Sequence, residues 1–278
     1  MAHLLIFGLG YTARRIKASV EALGWHVSAT GSAGDVDFDD VAAVRAALAN
    51  ASHVLSSVPP GDEGDPVLDG YGDVLEGRWL GYLSSTGVYG DTGGAWVDES
   101  APTGSGRRSA RSEADDAWRD RGGRVFRLPG IYGPRRSALE RVQSGKAHRI
   151  DLPGQVFSRV HVEDIASGVI AALTGDAPPG AYNLADDLPS SQNEVIEEAC
   201  RLLGVTPPPL LSLDEAGLSA MARGFYAENR RVANGKAKRM LDWQPRYPTY
   251  REGLRALKAI SSPSTASTAP DPVSNDQR

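Results

Sequence analysis

The chain opens with His3-Leu4-Leu5-Ile6-Phe7-Gly8-Leu9-Gly10-Tyr11-Thr12-Ala13-Arg14-Arg15, and the reading of this stretch decides the fold. Leu4 to Phe7 form the unbroken apolar run of a strand buried on both faces. They lead straight into Gly8-x-Gly10-x-x-Ala13, after which Ala13, Ile16, Val20 and Leu23 recur at helical spacing. The pattern is strand, tight turn, helix. The chain reverses sharply at Gly8, a side chain at position 10 would block a phosphate approaching the backbone, and Ala13 lets the helix lie close to the strand. The first helical residues, Tyr11, Thr12 and Ala13, then present free N–H groups and the positive end of the helix dipole to a pyrophosphate. The stretch implies dinucleotide binding, against the plain alternative of an ordinary glycine turn.

The rest of the first half repeats the strand and helix alternation. His26-Val27-Ser28-Ala29-Thr30 reads as a second strand ending at Gly31-Ser32. An acidic residue at this point would accept hydrogen bonds from an adenosine ribose. Thr30, Gly31 and Ser32 are neutral, which tilts the expectation towards NADP over NAD, although no Arg or Lys follows to hold a 2′-phosphate. Asp35-Val36-Asp37-Phe38-Asp39-Asp40 lacks the Gly and Glu positions of an EF-hand calcium loop. It is expected to be a short strand ending at Asp37-Phe38, beside the adenine, with Asp39 or Asp40 capping a helix over Val41 to Asn50. The next strand, His53 to Val58, brings Ser57 and Val58 opposite Gly8, where ligands bind in open parallel sheets.

Composition sets the limits. With 278 residues, 41% of them hydrophobic, the chain can bury a full core. A net charge of −5 argues against a nucleic-acid or anionic-membrane surface. The single cysteine, Cys200, lies at helical spacing with Ile196 and Leu203, reads as packing, and excludes an internal disulfide. No apolar run approaches membrane-spanning length and no signal-peptide pattern opens the chain, so a cytoplasmic location is expected. The five histidines show no metal spacing with each other or with the cysteine.

Four motifs in order carry a resemblance. They are the glycine turn, Leu83-Ser84-Ser85-Thr86-Gly87-Val88-Tyr89-Gly90, Arg127-Leu128-Pro129-Gly130-Ile131-Tyr132-Gly133-Pro134, and Arg159-Val160-His161-Val162-Glu163-Asp164-Ile165-Ala166. The chain resembles the extended or atypical short-chain dehydrogenase/reductases, the NAD-dependent epimerase/dehydratase group, as far as about Ala259. The resemblance implies an α/β fold: a Rossmann-like doubly wound parallel sheet over residues 1–133 and 157–187. A smaller, mainly helical substrate lobe would occupy 134–156 and 188–260. Residues 261–278, rich in Ser, Thr and Pro, are expected to be disordered. The resemblance further implies NAD(P) as cofactor, a small carbonyl or hydroxyl substrate such as a sugar derivative, and a possible homodimer.

Carrying the family's active site over gives a mixed result. Ser85, with Thr86 adjacent, occupies the position of the hydroxyl that orients substrate, although a strand-end hydroxyl tied to backbone would look the same. The family's Tyr/Lys acid–base pair falls on Arg107 and Arg111 when Asp115 and Trp118 are used as anchors. Arginine stays protonated, so these two could bind an anion but could not relay a proton. Tyr89 and Tyr132 remain as substitute acids. The sugar-nucleotide members' Asn two residues before Tyr132 is Gly130 here, which weakens a nucleotide-sugar reading, while Arg135, Arg136 and Arg159 could neutralise an anionic substrate. Two functions compete: an NAD(P)-dependent enzyme, and a dinucleotide-binding sensor or regulatory module without turnover.

Overall fold

Leu4 and Ile6 are buried on one face of a sheet and Leu5 and Phe7 on the other, so the opening strand is covered from both sides. The computed structural model describes residues 2–106 and 109–261. Its elements run β1 (His3–Phe7), α1 (Tyr11–Glu21), β2 (His26–Ala29), α2 (Val41–Asn50), β3 (His53–Ser56), α3 (Pro66–Tyr71), β4 (Trp79–Ser85), β5 (Trp96–Val97), α4 (Ser109–Asp120), β6 (Arg124–Leu128), β7 (Gly130–Tyr132), α5 (Ala138–Gln143), β8 (Arg149–Ile150), β9 (Arg159–His161), α6 (Val162–Thr174), β10 (Gly180–Asn183), α7 (Gln192–Leu203), β11 (Leu210–Leu211), α8 (Ala220–Tyr226), β12 (Arg231–Val232), α9 (Gly235–Met240) and α10 (Tyr250–Ser261).

The main sheet has six strands in the order β10-β6-β4-β3-β1-β2, and every pair in it is parallel. The chain leaves β1 towards β2 and then returns to β3 on the other side, so the strand order reverses between β1 and β3. Ligands of doubly wound sheets sit at the carboxyl ends of the strands at such a point. Side chains from α1 and α6 fill one face of the sheet, with Ile16, Val20, Ile165 and Val169 against Leu4 and Ile6. Val44, Leu48, Val67, Tyr71 and Trp118 from α2, α3 and α4 fill the other.

A separate apolar cluster joins α5, α7 and α10 through Leu139, Ile196, Cys200, Tyr250 and Leu254. Cys200 is fully buried within it. Helix α7 is fixed at both ends, by a Ser191/Glu194 capping box and by Gly204 in the left-handed conformation at φ +70. The stretch between Glu228 and α10 lies outside this cluster. β12 pairs with β5, and Ala237, Leu241 and Trp243 pack into the core of the sheet.

Several local expectations are corrected. The strand foreseen up to Phe38 reduces to a single bridge between Thr30 and Val36, because the chain turns through Gly31 at φ +104 and then caps α2 with Asp40. The acids Glu163 and Asp164 read from the sequence as fixing the start of the helix after His161, but the imidazole caps it, accepting from Glu163 N–H, while Asp164 turns away to accept from the N–H groups of Arg246 and Tyr247. The final seventeen positions of the chain, 262–278, and Arg107 lie outside the described residues. Among the described residues no helix is long and apolar enough to cross a membrane.

Candidate active site

The turn after β1 is held from three sides. Gly8 has φ +84, and a Cβ there would meet Val58 Cγ2 at 3.0 Å, so glycine is required both by conformation and by space. Gly8 N–H donates to Thr30 Oγ1 at 3.0 Å and Leu9 N–H to the Thr30 carbonyl at 2.8 Å, which locks the turn to the end of β2. Ser57 N–H donates to the Phe7 carbonyl at 2.8 Å and aligns the end of β3 beside it. Gly10 differs from Gly8. Its φ of −83 suits any residue, and a Cβ there would meet nothing within 4 Å, so the space above it is open. Helix α1 starts at Tyr11 with no side-chain cap; Thr12 and Ala13 are buried against the sheet. An open space over an uncapped helix start, at the switch point of the sheet, fits the pyrophosphate of a dinucleotide.

The other residues expected at this cofactor site are placed variously. Ser32 is exposed in the turn after Thr30. Phe38 turns its ring into the apolar layer, edge-on to Phe7 at 6.1 Å and to Tyr71 at 5.6 Å, and its carbonyl accepts from Tyr71 Oη at 2.7 Å. Asp37 accepts from Asp39 N–H at 3.1 Å. Tyr11 reaches away from the turn and donates to the Pro134 carbonyl at 3.1 Å, with the Arg136 guanidinium 5.6 Å above its ring. Gly133 allows this approach, since a Cβ there would lie 2.6 Å from Tyr11 Oη.

Beyond Tyr11 and Arg136 lies a cavity of about 850 Å³, lined by the end of β4, by β7, and by residues of α5, α7, α8 and α10. Ser85, Thr86, Tyr132, Arg135, Arg136 and Arg159 are on its wall, together with the aromatic rings of Phe157, Phe225 and Tyr226 that the sequence reading did not select. These come from distant segments with no shared motif, so only the folded chain brings them together. Ser85 Oγ accepts from Gly87 N–H at 3.0 Å as the cap of a 3-10 turn over Thr86–Tyr89. That contact uses a lone pair and leaves the hydroxyl proton free to donate into the cavity.

Neither substitute tyrosine is placed as a proton donor. Tyr89 Oη donates to Asn183 Oδ1 at 2.8 Å, accepts from Arg127 Nη1 at 3.0 Å, and does not line the cavity. Tyr132 turns its hydroxyl against Gly253, where it has no hydrogen-bond partner. Burial raises the pKa of both. Arg111 donates to Tyr82 Oη at 2.7 Å.

Asp115, an alignment anchor in the sequence, proves to be the centre of a buried network. Arg127 donates to both its oxygens, Nη2 to Oδ1 at 2.7 Å and Nε to Oδ2 at 3.0 Å, and Ser84 Oγ donates to Oδ2 at 2.6 Å. Both charged side chains are 0% exposed. The network ties α4, β4, β6 and the Tyr89 turn together immediately behind Ser85.

Behind the cavity, Arg159 is 7% exposed and donates only to neutral oxygens: the carbonyls of Phe157, Ser190 and Ser191 and the amide of Gln192. Asp186 is 2% exposed, and burial pushes its carboxyl up to about 8, against the pull of Arg159. A carboxyl raised this far keeps its proton in the folded chain while the unfolded chain loses it from about pH 4 upward. Its contribution to stability is therefore present at low pH and is lost as pH rises through 8. Asp186 Oδ1 accepts from Leu188 N–H and Oδ2 has no partner, so an amide reproduces the protonated acid. Asp186→Asn is expected to stabilise the fold at pH 8.5 by on the order of 2 kcal/mol and to flatten the melting temperature between pH 5 and 8.5. Thermal melts across that range check this; an unchanged slope would remove Asp186 from the account.

Among solved structures, a functionally unknown conserved protein from Silicibacter pomeroyi DSS is 40% identical, with 94% of this chain and 99% of that chain covered and a TM-score of 0.82. The human epimerase family protein SDR39U1 (isoform 2), solved with NADPH, is 14% identical, with 92% and 99% covered and a TM-score of 0.75. The chain shares the fold of this epimerase-family structure. Arginine stands at position 111, the described half of the Tyr/Lys pair that the sequence resemblance implies. No protein-family model matches the chain. A 3-diazoavenalumate denitrifying reductase from Streptomyces sp is 30% identical over 159 residues, 53% of this chain, and the match spans about half (51%) of that relative.

Proposed function

We propose that the chain is an NAD(P)-dependent oxidoreductase that reduces a small anionic carbonyl compound held in the cavity beside the glycine turn. The observation that carries this reading is the open space over Gly10 at an uncapped helix start, one tyrosine away from the cavity that Ser85 lines. A bound nicotinamide dinucleotide supplies the hydride. Gly8, Gly10 and the N–H groups at Tyr11, Thr12 and Ala13 would hold its pyrophosphate, and Ser57 and Val58 would flank it. The neutral turn at Thr30, Gly31 and Ser32 favours NADPH, and the NADPH bound in SDR39U1 supports the same choice. The name of the Streptomyces relative supports the reductive direction.

Ser85 would donate its free hydroxyl proton as a hydrogen bond to the substrate oxygen. Arg136, Arg141 and Arg159 on the wall supply positive charge for an anionic substituent. With the Tyr89 hydroxyl outside the cavity, that of Tyr132 against Gly253 and that of Tyr226 engaged with His148 Nε2 at 3.3 Å, the proton that completes reduction would come from water. A missing general acid lowers rate by about 10²–10⁴-fold, so the best substrates would be strongly electrophilic carbonyls.

The test has two stages. NADPH is expected to quench the intrinsic tryptophan fluorescence at lower concentration than NADH, and absence of either effect would sink the reading. NADPH consumption is then screened across carbonyl compounds, where Ser85→Ala should lower kcat/KM by about 100-fold. An undiminished rate would remove Ser85 from the chemistry. The buried positions of Tyr89 and Tyr132 favour a second reading, a sensor module. It predicts tight NADPH binding with no oxidation by any carbonyl in the screen.

A further inference from the structure

The end of β2 lacks both an acid to hold a ribose and, in the linear sequence, a base to hold a phosphate. Thr30 Oγ1 is already engaged by Gly8 N–H. The missing cation is supplied from the neighbouring helix. Arg14 sits in the first turn of α1, is exposed, and donates from Nε to the Leu9 carbonyl at 3.2 Å. Leu9 is itself bound through its N–H to the Thr30 carbonyl, and a Cβ on Gly31 would lie 3.1 Å from Leu9 N. The guanidinium is thereby anchored on the turn that abuts Thr30, Gly31 and Ser32.

Helix phase agrees with this placement. Residues three apart share a helix face, and Lys17, three residues after Arg14, donates to the Val27 carbonyl of β2 at 2.8 Å. Helix α1 runs opposite to the strands it packs on. Arg14, one turn towards the helix start, therefore lies towards the carboxyl end of β2. The other cations of α1 are engaged: Arg15 pairs with Glu163 at 2.5 Å and Lys17 with Glu21 at 2.8 Å. Among the described residues Arg14 has no acidic partner, and its Nη1 and Nη2 groups make no hydrogen bond. Asp35 stands nearby, but its carboxylate accepts from Ala29 N–H. That N–H points away from β1, since the adjacent Thr30 N–H donates to the Ile6 carbonyl, so Asp35 occupies the outer edge of the sheet and not the helix side.

We infer that Arg14, held by its Nε on the Leu9 carbonyl, binds the 2′-phosphate of NADP(H) through its free Nη pair, with the Ser32 hydroxyl as second donor. A guanidinium fixed at Nε presents its remaining donors as a fork that matches phosphate oxygens. The inference rests on the dinucleotide reading above and extends it to the residue that selects between the two nicotinamide cofactors.

Adenosine 2′,5′-bisphosphate and 5′-AMP, titrated calorimetrically into the full chain, separate the two ideas without any substrate. The wild-type chain is expected to bind the bisphosphate about tenfold or more tighter than 5′-AMP, the equivalent of one or two charged hydrogen bonds. Arg14→Gln should bring the two within about twofold, leave 5′-AMP affinity unchanged, and leave the melting temperature unchanged because the side chain is exposed. Arg14→Lys should retain part of the preference, and raised salt should weaken it. Binding of both nucleotides with equal affinity by the wild-type chain, or a preference that survives Arg14→Gln, would overturn the role of Arg14 while leaving the dinucleotide site intact. Binding of neither would overturn both.

Discussion

Asp115→Ala is expected to lower the free energy of unfolding by about 3–5 kcal/mol, the largest stability loss of any single change considered. The substitution leaves the Arg127 guanidinium, 0% exposed, without the carboxylate that engages its Nε and Nη2 groups, and leaves Ser84 Oγ without its acceptor. Neither group can turn to water, because Arg127 lies on β6, flanked by β4 and β10, and is fully buried. A buried ion pair is not in itself a large source of stability, and its loss as a unit has a different outcome from breaking it. The double change Asp115→Leu with Arg127→Met should therefore recover most of the loss. Urea denaturation of the three chains measures this. A loss below about 1 kcal/mol for Asp115→Ala would mean that the pair is far better hydrated than its burial indicates.

Gly10→Val is expected to weaken NADPH binding by 100-fold or more while changing stability by only about 1 kcal/mol. The backbone at Gly10 has an ordinary φ of −83 and an added Cβ meets no protein atom within 4 Å, so the fold accepts a side chain there. The same side chain fills the space assigned to the pyrophosphate. Gly8→Val should fail differently, since φ +84 and the 3.0 Å approach to Val58 oppose it in the folded chain with or without nucleotide. Calorimetric titration paired with thermal melts distinguishes the two. Full NADPH affinity in Gly10→Val would place the cofactor elsewhere.

The part of this protein written in its local sequence is what depends on neighbours along the chain. The apolar run Leu4 to Phe7, the glycine spacing and the helical period after Ala13 specify β1, the turn and α1. The limits of α2 are likewise legible in Asp39-Asp40, of which Asp40 is the cap, and in the apolar spacing that follows, because capping and periodicity act over a few residues.

The site is different, because each of its decisive contacts joins segments remote in sequence. Thr30 is a neutral strand-end residue on paper, and only the pairing of β1 with β2 brings its hydroxyl to Gly8 N–H. Tyr89 reads as a spare acid after a familiar motif, and only the packing of β10 beside β6 turns it into a ligand of Asn183 and Arg127. Arg14 reads as one of two adjacent surface arginines. The rotation of α1 against β2 and α6 sends Arg15 to Glu163 and leaves Arg14 facing the strand end. Local propensity acts along the backbone, whereas the charge environment of a side chain is set by whichever elements pack around it. The sequence alone therefore determined the class of fold and the position of the turn, and tertiary packing decided which polar groups remain free to bind.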